Sequence, residues 1–365
     1  MASRLDNQNK QAGESSNSPH ETSAPQAGPA SRTKPEPRIQ SLTGVQILAV
    51  GACAPPLVVR NEDLAELGYD ADWILQRTGI RERRRAAPEQ ATSDVALEAA
   101  RNCLQQADLA ADQLDFILVA TMTPDHLTPS TACVVQQGLG AHCPAMDVNA
   151  ACAGFMYGLI TGMHYIHSGT FQRVLVVGAD LLSRVVSPKD KKTYPLFGDG
   201  AGAVLLGANE QNPGLLAFTL GADGSGAELL WVPGGGSREP ITNSMVAAER
   251  QYLQMDGRAV FKWAVRTLID SVTAVLQHAN IDKNDLDLIL FHQANMRIID
   301  AASDHLELDR ERVFINLDRY GNTSAASIPL ALDEAFQQGR IKRGDKILMS
   351  GFGAGLAWGS AILQW

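Results

Sequence analysis

The sequence predicts an α/β layered fold built from two related halves. Three observations support this: short β-branched runs alternate with longer amphipathic stretches, distant segments echo one another at a fixed offset, and the composition suits a large core. The 365 residues are 45% hydrophobic and 19% charged, which is enough apolar side chain for a sizeable interior. Buried strands are expected at 45–50, 116–121, 174–178, 203–207, 288–291, 347–350 and 360–363. Helical patterns lie between them. At 94–107, for example, Val95, Leu97, Ala99, Ala100 and Leu104 include i, i+4 and i, i+7 spacings.

The echo defines the halves. Leu114-Asp-Phe-Ile-Leu-Val-Ala120 resembles Leu286-Asp-Leu-Ile-Leu-Phe-His292, 172 residues further on, and the same offset carries Val174-Leu-Val-Val-Gly178 onto Lys346-Ile-Leu-Met-Ser350. Gly200-Ala-Gly-Ala-Val-Leu-Leu206 and Gly359-Ser-Ala-Ile-Leu363 each close a half. Three pairs in the same order argue against chance, and the expected division is 41–212 and 213–365, two units of ordinary domain size. Residues 1–40 differ from both. They are rich in Ser, Gln, Asn, Pro and Gly and too poor in large aliphatic side chains to offset the entropy of ordering, so a disordered leader is expected.

Charge and cysteine usage narrow the function. A net charge of −9 disfavours nucleic acid or an anionic membrane as the main partner. The leader lacks the apolar stretch of roughly 7 to 15 residues that a secretory signal needs, and no later run approaches the ~18 residues of a membrane span. A soluble, cytoplasmic protein is expected. The five cysteines form no CxxC pair, which argues against a disulfide scaffold or a zinc ribbon. The eight histidines are scattered, and His164 with His167 lacks carboxylate or thiol partners, so no metal site is expected.

Three residues stand out chemically. Cys152 lies in Asp147-Val-Asn-Ala-Ala-Cys-Ala-Gly-Phe-Met-Tyr157, after a short apolar segment and before a helical pattern at Phe155, Leu159, Met163 and Ile166. A strand-to-helix turn of Ala and Gly would set its sulfur at the positive end of a helix with little steric cover, and both effects favour thiolate. His292 ends an expected strand, where open α/β sheets place their ligands. Asn322 lies in Tyr320-Gly-Asn-Thr-Ser-Ala-Ala-Ser-Ile-Pro329, another run of small residues leading into a helix. A Cys, His and Asn set serves a hydrolase, in which His deprotonates the thiol and Asn orients the imidazole. It serves equally a carbon–carbon bond-forming synthase, in which Cys carries an acyl group and His and Asn donate to a developing oxyanion. Spacing alone leaves both open. Gly198-Asp-Gly-Ala-Gly202 lacks a phosphate-loop spacing and reads as a close-packing device.

Motif context chooses between them. Asn149-Ala-Ala-Cys-Ala-Gly154, Phe197-Gly-Asp-Gly-Ala-Gly202, His292-Gln-Ala-Asn295, Gly321-Asn-Thr-Ser-Ala-Ala-Ser327, Gly351-Phe-Gly-Ala-Gly355 and Trp358-Gly-Ser360 occur in order, with Asp72-Trp-Ile74 and Arg77-Thr-Gly-Ile-Arg-Glu-Arg83 before them. From about Gln40 to Trp365 the chain resembles β-ketoacyl-acyl-carrier-protein synthase III, the initiating condensing enzyme of bacterial fatty-acid synthesis. The resemblance implies a thiolase-like five-layered α/β/α/β/α sandwich of two pseudo-equivalent halves, normally a homodimer. It implies that an acyl-CoA acylates Cys152, and that malonyl-acyl-carrier-protein then decarboxylates with help from His292 and Asn322 to give a 3-oxoacyl carrier protein. The backbone N–H groups of Cys152 and Ala354 would form the oxyanion hole. No cofactor is implied, coenzyme A entering only as a substrate thioester. A ketosynthase or acyltransferase of secondary metabolism and a thioester hydrolase are the alternatives.

The family's coenzyme A contacts fall on Trp73, Arg77, Thr78, Gly257, Phe261 and Asn295, and on Lys191, where an arginine commonly stacks on adenine; lysine cannot stack as a plane. Basic residues that receive the acidic carrier protein fall on Lys262 and Arg297, whereas Asp304 and His305 stand where some members carry lysines. The run Arg81-Glu-Arg-Arg-Arg85 reads as a solvated face or as an aid to that docking. Thr128, in Pro124-Asp-His-Leu-Thr-Pro129, matches a position where short-primer members place a phenylalanine that closes the acyl pocket across the dimer interface. Threonine leaves more room, so octanoyl-CoA and longer primers are expected to be turned over; a chain-length series in which only acetyl-CoA reacts would contradict this.

Overall fold

The computed structural model describes residues 38–209, 211 and 213–365, so nearly all of the expected leader lies outside the described residues. The strands in chain order are β1 (Ile39–Leu42), β2 (Val45–Cys53), β3 (Leu57–Arg60), β4 (Glu82–Arg85), β5 (Phe116–Ala120), β6 (Ala145–Val148), β7 (Arg173–Leu181), β8 (Asp199–Ala208), β9 (Leu215–Ala222), β10 (Leu230–Trp231), β11 (Gln254–Met255), β12 (Leu288–Phe291), β13 (Lys346–Gly353) and β14 (Ala357–Gln364). The helices are α1 (Ala71–Thr78), α2 (Thr92–Gln106), α3 (Thr131–Leu139), α4 (Gly154–His167), α5 (Asn243–Ala247), α6 (Gly257–Ala279), α7 (Met296–His305), α8 (Leu317–Tyr320) and α9 (Ser327–Gln337). Among the described residues no helix is long and apolar enough to cross a membrane.

Two five-stranded sheets form the frame, ordered β2-β8-β7-β5-β6 and β1-β9-β14-β13-β12. In the first, β5 runs parallel to β7 and β7 antiparallel to β8; in the second, β12 runs parallel to β13 and β13 antiparallel to β14. The repeat is therefore present in the hydrogen-bonding pattern. Its register corrects the strand echo by one residue: Val174 pairs with Phe116 and Ile347 with Leu288, so Val174 corresponds to Ile347 rather than to Lys346. The expected start of the first half also shifts. Ile39 and Gln40, assigned to the leader, belong to β1, and β1 pairs with β9 on the edge of the second sheet.

Three apolar clusters separate five layers. One lies between the first sheet and α2 with α3, around Val95, Ala99, Ile117, Val135 and Leu205. Another lies between the second sheet and α6 with α7, around Leu268, Val272, Ile289, Ile299 and Ile362. The central cluster contains Phe155, Leu159 and Met163 of α4 and Ile328, Leu332 and Ala335 of α9, enclosed by Val176 and Leu206 from one sheet and Leu290 and Met349 from the other. The result is the thiolase-type α/β/α/β/α sandwich.

Glycine spacing sets how closely the central helices lie on the sheets. Gly154, Gly158 and Gly162 recur every four residues along one face of α4, and Cβ atoms added there would reach Ala120 at 3.3 Å, Val176 at 3.1 Å and Leu206 at 2.9 Å. Met156, on another face, fills the space above Gly351 and Gly359 of the second sheet. The helix α9 is seated similarly, since a Cβ on Gly178 would lie 2.3 Å from the Ala325 carbonyl oxygen and one on Gly202 would lie 2.6 Å from the Leu330 nitrogen. Those neighbours are backbone and cannot swing aside, so the reading of the 198–202 glycines as close-packing devices agrees with the structure. Gly202→Ala is expected to destabilise the fold by about 2 kcal/mol or more through overpacking, measured as a lower urea midpoint. Gly236→Ala, at a site with no heavy atom within 4 Å, should leave the midpoint unchanged.

Candidate active site

Cys152 lies in a short turn, Ala151–Ala153, between β6 and α4, and the turn is closed by an unusual backbone conformation: Ala151 has φ of +46°. The Asn149 Oδ1 accepts the Ala151 N–H at 3.1 Å and holds the turn from within. The second half repeats the device. At the offset relating Val174 to Ile347, Asn149-Ala-Ala-Cys-Ala-Gly154 falls on Asn322-Thr-Ser-Ala-Ala-Ser327. Ser324 has φ of +53°, and its N–H donates to the Asn322 Oδ1 at 2.9 Å. That bond fixes the carboxamide orientation and leaves the Nδ2 hydrogens as the group's donors.

His292 follows directly on β12, its N–H donating to the Ser350 carbonyl at 2.9 Å. Its ring is 1% exposed, packs edge-on against Phe352 with centroids 5.2 Å apart, and places Nδ1 2.6 Å from the Ser327 Oγ. Cys152, His292 and Asn322 together line one pocket. Gly353 closes it from the side, so close that a Cβ there would lie 2.7 Å from the Cys152 nitrogen and 2.8 Å from its Cβ. Ala354 follows in the same loop and packs among Phe197, Leu230 and Leu253.

The rest of the lining is mostly apolar, with Leu196, Phe197, Met255, Phe261 and Phe352 around the three groups. Burial dominates the titration. It pushes the Cys152 thiol up to about 12, against a smaller opposite effect of the Ser324 hydroxyl. Burial therefore works against the thiolate that the helix terminus was expected to favour. Burial also lowers His292 to about 3, so its imidazole is neutral.

Other expected contacts separate into groups. Gly257, Phe261 and Asn295 line the same pocket as the three central residues. Asn295 also caps α7 and donates its Nδ2 to the Arg77 carbonyl at 3.2 Å. Trp73 is 47% exposed, and the Arg77 guanidinium sits 5.9 Å from its ring centroid. Thr78 is buried, its hydroxyl donating to the Ile74 carbonyl at 2.6 Å and accepting from the Ile80 N–H at 3.0 Å, so that oxygen is committed to ending α1. Lys191 donates to the Gly68 carbonyl at 2.6 Å and lies 5.8 Å from the Tyr69 ring centroid. Lys262 and Arg297 are exposed, Arg297 lying over Phe261 at 5.5 Å. Thr128 is exposed beside Leu127, itself 92% exposed, and does not line the pocket.

Two features escaped sequence reasoning. Asp180, buried on β7, accepts from the Thr121 and Thr123 hydroxyls at 3.0 and 2.9 Å, from the Met122 and Thr123 N–H groups at 2.8 and 3.1 Å, and from the Ala325 N–H at 3.2 Å. It ties the exit of β5 to the loop holding Asn322. The second is Arg83. Alternation along β4 turns it inward, where it donates to the Asn61 Oδ1 and the Pro195 carbonyl at 2.8 Å each and to the Val59 carbonyl at 3.1 Å. Burial lowers its guanidinium to about 10. Arg84 and Arg85 lie over the Tyr320 and Tyr194 rings at 5.6 and 4.3 Å. Arg83 is thus an internal buttress, while Arg84 and Arg85 are half-buried and Arg81 stays exposed, so only part of the run is a solvated face.

Comparison with known proteins agrees with this geometry. The family model described as 3-oxoacyl-(acyl-carrier-protein) synthase III matches residues 146–224, and its C-terminal counterpart matches residues 276–365. A β-ketoacyl-(acyl-carrier-protein) synthase III of Rhodopirellula baltica is 55% identical over 343 residues, covering 89% of this chain and 99% of that protein. The chain belongs to the synthase III family. A second member, from Caldanaerobacter subterraneus, is 46% identical over 321 residues, covering 87% of this chain and 97% of its own. The crystal structure of the Aquifex aeolicus synthase III superposes with a TM-score of 0.82 at 42% identity, covering 88% of this chain and all of that one.

The thiol in this synthase III family member should be slow to react at rest. Alkylation of Cys152 by iodoacetamide, followed by peptide mass spectrometry, is expected to accelerate about tenfold per pH unit from pH 7 to 10, because thiolate is the reacting form. A plateau below pH 9 would show the thiol to be more acidic than its burial dictates.

Proposed function

We propose that this condensing acyltransferase of the synthase III family starts chains by joining an acyl-CoA to malonyl-acyl-carrier-protein. The Cys152 sulfur attacks the acyl-CoA carbonyl, the bond to the CoA sulfur breaks, and the thiol proton leaves with CoA. Malonyl-carrier-protein then loses CO₂, and its C2 attacks the acyl carbonyl on Cys152. A carbon–carbon bond forms, the sulfur–carbon bond breaks, a 3-oxoacyl carrier protein is released, and the Cys152 sulfur takes up a proton from solvent to restore the thiol. These steps balance without a metal or redox cofactor.

One observation carries this reading over hydrolysis: His292 is buried, neutral and hard to protonate, in a pocket shared with a carboxamide whose Nδ2 hydrogens are its remaining donors. A hydrolase needs that histidine as a base that becomes cationic. A synthase needs it as a neutral donor to the enolate oxygen formed as CO₂ leaves, a task that burial favours. The backbone N–H groups of Cys152 and Ala354 hold the first oxyanion in this scheme. Gly257, Phe261 and Asn295 receive the pantetheine arm, Trp73, Arg77, Thr78 and Lys191 the nucleotide end, and Lys262 and Arg297 the carrier protein. The exposed 124–129 loop with Thr128 reaches the acyl pocket of a second copy in a homodimer.

Intact-mass analysis after incubation with acyl-CoA should show one acyl group on Cys152 and none on Cys152→Ala. Adding malonyl-carrier-protein should release CO₂. Asn322→Ala should still accept the acyl group but release CO₂ on the order of 100-fold more slowly, the usual cost of a lost oxyanion donor. Free fatty acid as the main product would overturn the reading.

A further inference from the structure

We propose that Ser327 is a positioning residue that fixes the tautomer of His292, donating its hydroxyl hydrogen to Nδ1 so that Nε2 carries the ring proton into the pocket. The inference rests on the reading of His292 as an oxyanion donor and adds the residue that makes it one.

The direction of the bond follows from the groups around it. The Ser327 Oγ lies 2.6 Å from Nδ1, and both residues are buried. The Gln293 N–H points at the same oxygen from 3.4 Å, so the hydroxyl already has an incoming donor. Were Nδ1–H a second donor to it, the Ser327 O–H would be left in the interior with no acceptor among its hydrogen bonds to the described residues, which costs the full desolvation of that group. Turning the hydroxyl toward Nδ1 satisfies both partners. The neutral ring then holds its one hydrogen on Nε2.

The duplicated architecture supplies a second, independent argument. In the first half the position corresponding to His292 is Ala120, at the end of β5, and the position corresponding to Ser327 is Gly154, at the start of α4. These two also meet, since a Cβ on Gly154 would lie 3.3 Å from the Ala120 Cβ. One contact thus occurs twice. In the half that supplies the nucleophile it is apolar and minimal, whereas in the half that supplies the donors it is a serine against a histidine. A serine kept only for packing would not need to face the imidazole nitrogen at hydrogen-bond distance.

Nitrogen-15 NMR of histidine-labelled full-length protein at pH 7 reads the tautomer directly. A protonated Nε2 with an unprotonated Nδ1 for His292 is expected, and the reverse pattern overturns the proposal whatever the variants do. In Ser327→Ala the signals should move toward a mixture of tautomers. CO₂ release from malonyl-carrier-protein should fall on the order of 10-fold to 100-fold, as expected when a donor is disordered rather than deleted, while acylation of Cys152 stays within about twofold. Ser327→Thr, which keeps a hydroxyl, should recover both the tautomer and part of the rate. Unchanged His292 signals and unchanged CO₂ release in Ser327→Ala would refute the assignment. If Ser327→Ala does not fold, the wild-type and Ser327→Thr spectra decide. If the wild-type protein releases no CO₂, the functional reading fails while the NMR still reads the bond.

Discussion

Everything in the site depends on how closely backbone can approach backbone where the two halves meet. Gly353 against Cys152, Gly178 against Ala325 and Gly202 against the start of α9 are contacts that no larger side chain would permit. They bring the nucleophile turn of one half and the donor loop of the other to one pocket without any long side chain spanning the gap. Asp180 then ties the two together through donors from both sides. Because the neighbours at these points are main chain, the geometry is held by atoms that cannot change rotamer.

The same burial that makes the pocket acts in opposite directions on its two titratable groups. It raises the thiol and lowers the imidazole, and in both cases the uncharged form is the one favoured. With a carboxamide as the third group, the resting trio carries no charge of its own. Negative charge therefore arrives with the substrates, and the site meets it with donors already oriented: the Asn322 amide by its bond from the Ser324 N–H, and the imidazole by its contact with Ser327. Oriented neutral dipoles cost little to keep in an apolar pocket, whereas a standing ion pair would have to be desolvated.

Much of this was legible in the sequence. The apolar runs at 116–121, 174–178 and 288–291 mark strands buried on both faces, for which composition is a sufficient signal. The strands β3, β4 and β6 carry charged or half-buried residues and β1 is four residues long, so periodicity alone does not reveal them. The convergence of Cys152, His292 and Asn322 was legible through motif order. The thiol's protonation was not, because desolvation is a property of the whole pocket and leaves no trace in local spacing. Arg83 illustrates the converse: five consecutive charged residues suggest water, but strand alternation turns one of them fully inward. The role of Asp180 needed its buried hydrogen bonds, and that of Ser327 also drew on the alignment of Asn149–Gly154 on Asn322–Ser327, which the strand echo alone brings only to within one residue.

The placement of β1 has a consequence for how the chain is made. This strand pairs with β9, about 175 residues later, although its immediate successor β2 joins the other sheet. A chain leaving the ribosome can complete the β2-β8-β7-β5-β6 sheet while its first strand still has no partner. The apolar underside of α4 stays uncovered over the same interval, since Met349 and Leu363 are synthesised last. During translation the first half is thus a nearly finished body with one sticky face: β9, which follows β8 directly, gives β1 its partner, and the arrival of the last strands covers the apolar side of α4.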